Sequence, residues 1–194
     1  TLAACGTTNA DSNAVDEPKN DAAVDAADPA PTEETPESTG NKVLVAYFSA
    51  TGHTKTIAEY LQAALDADLY EIVPQEPYTD PDLDYNTDGC RANQEQKDPA
   101  ARPRIAGQPL DLSQYGTIYL GYPIWQGTAP RIINTFLDSY DLTGKTIRPF
   151  CTSGSSGIET SVADIRAAAP GVDVTAGLRI ADPDGSDVKA WALG

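Results

Sequence analysis

A run of hydroxyl-bearing and small residues, Ser49-Ala50-Thr51-Gly52-His53-Thr54, has the composition of a phosphate-binding loop. It lies between an apolar run typical of a strand and a pattern typical of a helix. Unpaired backbone N–H groups and the positive end of a helix dipole would therefore lie beside its hydroxyls. It lacks the Gly-Lys-Ser/Thr of a triphosphate loop and the Gly-x-Gly-x-x-Gly of a dinucleotide site, which argues against ATP and tightly bound NAD. An ordinary Ser/Thr helix cap would explain the same residues.

Two later segments also carry unusual residues between an apolar run and a helical pattern. In Tyr122-Pro123-Ile124-Trp125-Gln126-Gly127, a proline-stiffened turn would hold a large aromatic ring where a flat ligand could cover it. Trp125 could instead fold back as a core anchor. In Thr152-Ser153-Gly154-Ser155-Ser156-Gly157, backbone N–H groups could bond a polar ring edge, although such loops are often only flexible connectors.

Strand-like and helix-like patterns alternate around these segments. This alternation predicts one parallel sheet with helices on both faces, and such sheets bind ligands at the carboxyl ends of their strands. We expect the three segments to meet at that edge. Pro149, inside the fourth predicted strand, indicates a bulge or a strand end. The predicted strands are 42–48, 69–73, 117–121, 146–150 and a weaker fifth from 172–174 through 177–180, and a closing helix is predicted over 184–193.

The three segments resemble the ligand loops of the flavodoxin family. Ser49 to Thr54 is similar to the family's Ser/Thr-x-Thr-Gly-x-Thr phosphate loop, and the loops occur in the same order. The other two are similar to Tyr-Pro-Ile-Trp-Trp-Gly and Cys-Thr-Ser-Gly-Gly-Ser-Gly of a bacterial flavodoxin-like subfamily, with Gln126 for the second Trp and Ser155 for a Gly. The resemblance spans about residues 42–193. It implies an α/β, flavodoxin-like three-layer sandwich whose five-stranded parallel sheet has the order 2-1-3-4-5, with helices on both faces.

The resemblance also implies FMN as the cofactor, and no catalytic side chain or metal ligand. The first segment would hold the phosphate, the second would flank the ring, and the third would line the ring's other edge. The residues implied are Ser49, Thr51, Gly52, His53 and Thr54 for the phosphate, Pro123, Ile124, Trp125, Gln126 and Gly127 for the ring, and Thr152, Ser153, Gly154 and Gly157 for its other edge.

An electron-transfer protein is the function that these features favour, because the flavin would do the chemistry and no protein acid, base or nucleophile is required. Its partner would be a redox protein or a small electron acceptor. The alternative is an FMN-dependent NAD(P)H:quinone-type oxidoreductase, which would bind nicotinamide and acceptor alternately over one flavin face. A non-redox binding module would leave Trp125 and three convergent loops unexplained.

Charge and composition exclude other classes and divide the chain. With 13 basic and 29 acidic residues the net charge is -16, which disfavours nucleic acid, and no run approaches the roughly 18 apolar residues of a membrane span. Residues 1–40 carry nine acids, one base and no aromatic residue. Such a composition predicts a disordered acidic tether, followed by one domain over 41–194.

The segment Leu2-Ala3-Ala4-Cys5 resembles a bacterial lipobox, whose cysteine becomes lipid-modified after cleavage of a signal peptide. The resemblance implies an extracytoplasmic protein held at the bacterial cell membrane only by a lipid anchor at Cys5. The alternative is a chance match in a cytoplasmic protein.

The 35 residues from Pro74 to Gln108 are rich in Asp, Asn, Gln and Pro and have no helical period. We expect an irregular, mainly solvated loop, whose aromatic and basic side chains could alternatively cap the flavin or meet a substrate. Those side chains are Tyr78, Tyr85, Arg91, Arg102 and Arg104. Cys90, in this loop, and Cys151 could form a disulfide outside the cytoplasm, although two free thiols are slightly favoured.

Overall fold

The computed structural model describes residues 40–181 and 186–193, in which strands and helices alternate. The predicted acidic tether and Cys5 lie outside these residues. The strands are β1 (Lys42–Tyr47), β2 (Asp68–Glu71), β3 (Tyr115–Pro123), β4 (Thr146–Thr152), β5 (Asp173–Val174) and β6 (Leu178–Ile180). The helices are α1 (His53–Leu65), α2 (Asp80–Leu83), α3 (Arg91–Lys97), α4 (Arg131–Ser139), α5 (Glu159–Ala168) and α6 (Ser186–Leu193).

All the strand pairs are parallel, and the strand order is β2-β1-β3-β4-β5, as predicted. The weak fifth strand consists of two short pieces, because β6 pairs with β4 beyond the point where β5 ends. The carboxyl ends of β1, β3 and β4 therefore meet at one edge of the sheet, where the three predicted ligand loops begin.

Both faces of the sheet are buried, which explains why its strands read as continuous apolar runs. Successive residues of β1 enter opposite clusters: Leu44 packs with the side chains of α4 and α5, and Val45 packs with those of α1 and α6. Helices thus cover both faces, and the predicted three-layer architecture is confirmed.

The expectation that Pro149 marks a bulge or strand end is wrong. β4 runs through Pro149, which is in register with Leu120 of β3. The Ile147 carbonyl accepts a hydrogen bond from the Thr175 N–H at 3.0 Å, so alternate residues from Ile147, including Pro149, direct their backbone polar groups toward the fifth strand. Since that strand is interrupted between β5 and β6, the missing N–H of proline costs the sheet no hydrogen bond.

The expectation of an irregular loop over 74–108 is also wrong. The segment contains α2 and α3, and an antiparallel bridge between Pro74 and Ile105 closes its base. The buried residues of α3 are Ala92, Asn93 and Gln96. Two of these three are polar, so the helix has no apolar stripe that a sequence pattern could reveal.

Neither a membrane-spanning helix nor a metal cluster is found in the described ranges. None of their helices is both long and apolar enough to cross a bilayer. No group of three or more His, Cys, Asp or Glu residues there could hold a metal ion.

Candidate functional site

Two adjoining clefts lie at the carboxyl ends of β1, β3 and β4 and share Thr51 and Pro123. The narrow cleft, of about 290 Å³, is lined by Thr51, His53, Pro123, Thr152, Ser153, Gly154, Ile180 and Ala181. The wide cleft, of about 490 Å³, is lined by Ala50, Thr51, Leu83, Tyr85, Ala92, Asn93, Pro123, Ile124, Trp125 and Gln126. The structure thus brings the three predicted loops together around two clefts that share two lining residues.

The first loop presents two of its five predicted residues to the clefts. Thr51 and His53 are exposed and line the narrow cleft. Gly52 has a φ of 90° at the start of α1, and its N–H donates to the Ser49 hydroxyl at 3.1 Å. Ser49 therefore helps to fix the turn that leads into α1.

Thr54 links the first loop to the third. Its side chain is 1 % exposed, and its hydroxyl lies 2.8 Å from the Thr152 hydroxyl. Thr152 itself lines the narrow cleft. Thr54 thus has a protein partner for its hydroxyl and connects two walls of the cleft.

The second loop is a tight hairpin turn from Trp125 to Thr128. The two residues exchange backbone hydrogen bonds of 2.9 and 3.1 Å, and the central residues Gln126 and Gly127 both have positive φ, 47° and 86°. This is the geometry of a type I′ turn, in which glycine is favoured and glutamine is uncommon.

Trp125 packs in the core and also lines the wide cleft. Its ring packs edge-on against Phe48, with centroids 5.4 Å apart, and against Tyr78 at 5.1 Å. The half-buried side chain also lines the wide cleft beside Ile124. Trp125 is therefore anchored in the core on one side and presents an apolar surface to the cleft on the other.

The third loop is held by backbone bonds to its neighbours. The Ile124 N–H donates to the Thr152 carbonyl at 3.1 Å, and the Ser153 N–H donates to the Ile180 carbonyl at 3.2 Å. The Arg179 guanidinium donates to the Gly154 carbonyl at 2.8 Å. A Cβ at Gly154 would meet no atom within 4 Å, so the loop backbone is open to approach at this point.

Nine of the fourteen predicted site residues line the clefts. The other five, Ser49, Gly52, Thr54, Gly127 and Gly157, lie in the loops without lining them. Ser49, Gly52 and Thr54 hold loop conformation through the bonds described above, and Gly127 supplies a positive φ that the turn needs.

The inserted segment 74–108 supplies a wall of the wide cleft, of which only Tyr85 was named from the sequence. Leu83, Ala92 and Asn93 line the wide cleft together with Tyr85, whose side chain is 78 % exposed. Asn93 and Ala92 gave no signal in the sequence, because only the folded α3 turns them toward the Trp125 loop.

The other aromatic and basic residues of that segment do not line the clefts. Tyr78 packs against the Trp125 ring. The Arg91 guanidinium stacks on the Tyr78 ring, 4.2 Å from the ring centre. Arg102 pairs with Asp138 at 2.6 Å. Arg104 lies in a separate polar hollow with Arg91.

Two cysteines lie in the described residues, one of them beside the third loop. Cys90 and Cys151 are both buried and free, as the sequence slightly favoured. Burial raises the pKa of the Cys151 thiol to about 12, so at neutral pH it is neither a nucleophile nor a base. Burial, and then the hydrogen bond to the Glu95 carboxylate, raise the pKa of Tyr78.

Comparison with known proteins agrees with this geometry. A family model described as Flavodoxin matches residues 42–192. A candidate flavoprotein from Bacteroides eggerthii is 44% identical with a TM-score of 0.74, over 77% of this chain and 94% of that one. A candidate flavoprotein from Bacteroides uniformis is 42% identical with a TM-score of 0.77, over 80% and 99%.

A flavoprotein from Lactobacillus acidophilus, solved in complex with FMN, is 29% identical with a TM-score of 0.61, over 78% of this chain and 98% of that one. No curated protein matches the sequence. Since the family model covers more than half of the chain and the strand order is the one that the family's motifs implied, this chain belongs to the flavodoxin family.

Proposed function

We propose that this chain is an electron carrier that binds one FMN across the two adjoining clefts. The related Lactobacillus acidophilus flavoprotein, whose structure contains FMN, supports the choice of cofactor. The chemistry of the two clefts fits the two ends of that molecule. Hydroxyl-bearing residues line the narrow cleft, and His53, the first residue of α1, lies among them, which suits a phosphate. Ile124, Trp125 and Leu83 give the wide cleft an apolar surface, which suits a planar ring.

In this proposal the protein binds and orients the cofactor. When bound, FMN supplies the capacity to take up and release electrons. Thr51 and His53 would hold the phosphate together with the backbone at the start of α1. Trp125 and Ile124 would flank the ring in the wide cleft, and the edge of the ring that faces the narrow cleft would lie beside Ser153 and the Gly154 backbone. Thr54 would act indirectly by keeping Thr152 and the third loop in position.

The single observation that favours a carrier is the character of the cleft lining. Of the described residues that line the clefts, only His53 and Tyr85 can titrate in water, and both are exposed. Nothing there resembles a buried acid, base or nucleophile, so the lining argues against an enzyme whose own side chains do the chemistry, and electron exchange through the flavin needs none. The proposed partner is accordingly a separate redox protein or a small electron acceptor.

The size of the wide cleft supports one alternative, an FMN-dependent NAD(P)H:quinone-type oxidoreductase. Hydride transfer needs a donor ring stacked within about 3–3.5 Å of the flavin, and Gln126, smaller than tryptophan, leaves the rim of the wide cleft more open. Against this, Trp125 and α3 occupy one side of that cleft.

Stopped-flow mixing of the oxidised, FMN-loaded chain with NADH and NADPH separates the two functions. For a carrier we expect flavin bleaching that is no faster than that of free FMN and does not saturate with nicotinamide. Bleaching that saturates and outpaces free FMN would overturn the carrier in favour of the reductase.

A further inference from the structure

The side chain of Gln96 connects α3 to the loop that carries Trp125. It is 7 % exposed, and its amide nitrogen donates to the Trp125 carbonyl at 2.9 Å and to the Ala129 carbonyl at 3.2 Å. Its amide oxygen accepts from the Arg131 N–H at 3.1 Å, at the first residue of α4. One buried amide thus bonds both sides of the hairpin turn and the helix that follows it.

A pair of side-chain amides, those of Asn93 and Gln126, stabilises the tip of the same turn. Asn93 is 3 % exposed, and its amide nitrogen donates to the Tyr85 and Thr87 carbonyls, each at 3.0 Å. Its amide oxygen accepts a hydrogen bond from the Gln126 side chain. Asn93 therefore joins the turn to the Tyr85 side of the wide cleft.

The backbone of the turn indicates why such support is needed. Gln126 has a φ of 47°, a left-handed conformation that is unfavourable for residues other than glycine. Conformations of this kind persist where the surroundings over-determine them. The hydrogen bonds from Gln96 and Asn93 supply this support to the turn. Because Trp125 immediately precedes Gln126, the same bonds act on the position of Trp125.

We propose that Gln96 is a positioning residue for the FMN site, and that it acts through Trp125 with the help of the Asn93–Gln126 amide pair. The inference deepens the proposed function and rests on it. In the chain without FMN, these amides hold Trp125 against Phe48 and Tyr78, so the apolar side of the wide cleft is formed before the cofactor binds. Loss of the amides would let the turn move, and binding would have to order it again.

The test compares two glutamines of the same helix. Gln94 is exposed and its amide donates to the Gly89 carbonyl at 2.9 Å, away from the turn. Gln96→Leu and Gln94→Leu are made in the full chain carrying Trp191→Phe, which leaves Trp125 as the only tryptophan. Acrylamide quenching of Trp125 is measured without FMN, and the dissociation constant for FMN is measured by titration.

We expect Gln96→Leu to increase the quenching of Trp125 and to raise the FMN dissociation constant about tenfold. We expect Gln94→Leu to change neither. Unchanged FMN binding in Gln96→Leu, weaker binding without increased quenching, or equal effects of the two substitutions would each overturn the proposal.

Gln126→Gly tests the second amide pair without threatening the fold, because relief of the positive φ offsets the lost side-chain bond. It should keep the thermal stability of the parent while Trp125 becomes more accessible to acrylamide. Unchanged quenching in this variant would contradict the role of the pair. A parent chain that fails to bind FMN would refute the proposed function. The quenching comparison would still test whether Gln96 and the Asn93–Gln126 amide pair hold Trp125 in place.

Discussion

At the scale of single residues, two threonines of the first loop have separate roles. Thr51 is exposed and lines both clefts, whereas Thr54 is buried and bonded to Thr152. A sequence pattern assigns both to the phosphate, since it cannot tell which hydroxyl already has a partner inside the protein.

The first prediction is that valine substitutions at these positions separate binding from stability. Thr51→Val should weaken FMN about tenfold, because a hydrogen bond to a charged group contributes about 1.5–3 kcal/mol, and should leave stability within about 0.5 kcal/mol. Thr54→Val should lower the free energy of unfolding by about 1 kcal/mol and weaken FMN less. Urea unfolding and FMN titration of both variants measure this. A larger loss of FMN affinity in Thr54→Val than in Thr51→Val would show that Thr54 contacts the phosphate.

The second prediction concerns Cys151 and alkaline pH. Its pKa rises from 9.0 to about 12 on burial, so the folded state keeps the proton longer than the unfolded chain. The resulting stability is fully present below about pH 9 and is lost as the pH rises toward 12, by up to about 1.4 kcal/mol per pH unit. Urea unfolding between about pH 9 and 11 should give a shallower decline for Cys151→Ala than for the wild type. Parallel declines would contradict the assigned pKa. The comparison uses the slope of the unfolding free energy against pH, so the pH-independent cost of the cavity left by the sulfur does not affect the result.

At the scale of elements, the interrupted fifth strand depends on a close approach between Gly177 and β4. Gly177 has a φ of +77°, and a Cβ there would lie 2.8 Å from the Pro149 carbonyl oxygen and 2.9 Å from the Ile158 side chain. Gly171 has a similar φ, +83°, but a Cβ there would meet no atom within 4 Å.

The third prediction follows from this difference. Gly171→Ala should cost about 1–2 kcal/mol, the price of a left-handed conformation alone. Gly177→Ala should cost a further 1–3 kcal/mol or so, because the methyl group also overpacks the contact with Pro149. Urea unfolding of the two variants gives the comparison. Equal losses of unfolding free energy in the two variants would mean that β6 can move away from β4 at no cost in free energy.

Elements with an apolar pattern could be predicted from the sequence, and elements held by polar groups could not. The strands around Val45, Ile118 and Ile147 and the helix around Phe136 follow from buried apolar residues at strand or helix spacing. Helix α3 was missed because its buried side chains include Asn93 and Gln96, whose partners include backbone carbonyls up to 33 residues away along the chain. The same helix forms part of the wide cleft. The sequence therefore failed to predict this helix and this wall of the cleft for the same reason.

Pro149 was misread for a related reason. The rule that proline interrupts a strand assumes a neighbour on both sides. Here the neighbour itself is interrupted, which only the register of β5 and β6 reveals.

At the scale of the whole molecule, the acidic segment before Gly40 is a proposed tether with a lipid anchor at Cys5, in a protein outside the cytoplasm. Its nine acids, one base and lack of aromatic residues support this proposal. A precursor that stays soluble and unlipidated in its native cell would refute the anchor.

The fourth prediction is that deleting residues 1–39 leaves the melting temperature and the FMN affinity unchanged. Gly40 is kept, because its N–H donates to the Ser113 carbonyl at 3.3 Å. Thermal unfolding and FMN titration of the truncated and full chains check the prediction. A fall of several degrees in the melting temperature would show that the segment packs on the folded part.

We propose that one FMN spans the narrow and the wide cleft, with its phosphate beside Thr51 and its ring beside Trp125. Both parts of this proposal are tested by titrating the Trp191→Phe chain, in which Trp125 is the only tryptophan, with FMN and with riboflavin and following the tryptophan emission. We expect one FMN per chain, quenching of Trp125, and riboflavin binding at least about tenfold weaker, since riboflavin lacks the phosphate. Equal affinity for the two flavins, or FMN binding that leaves the Trp125 emission unchanged, would contradict it.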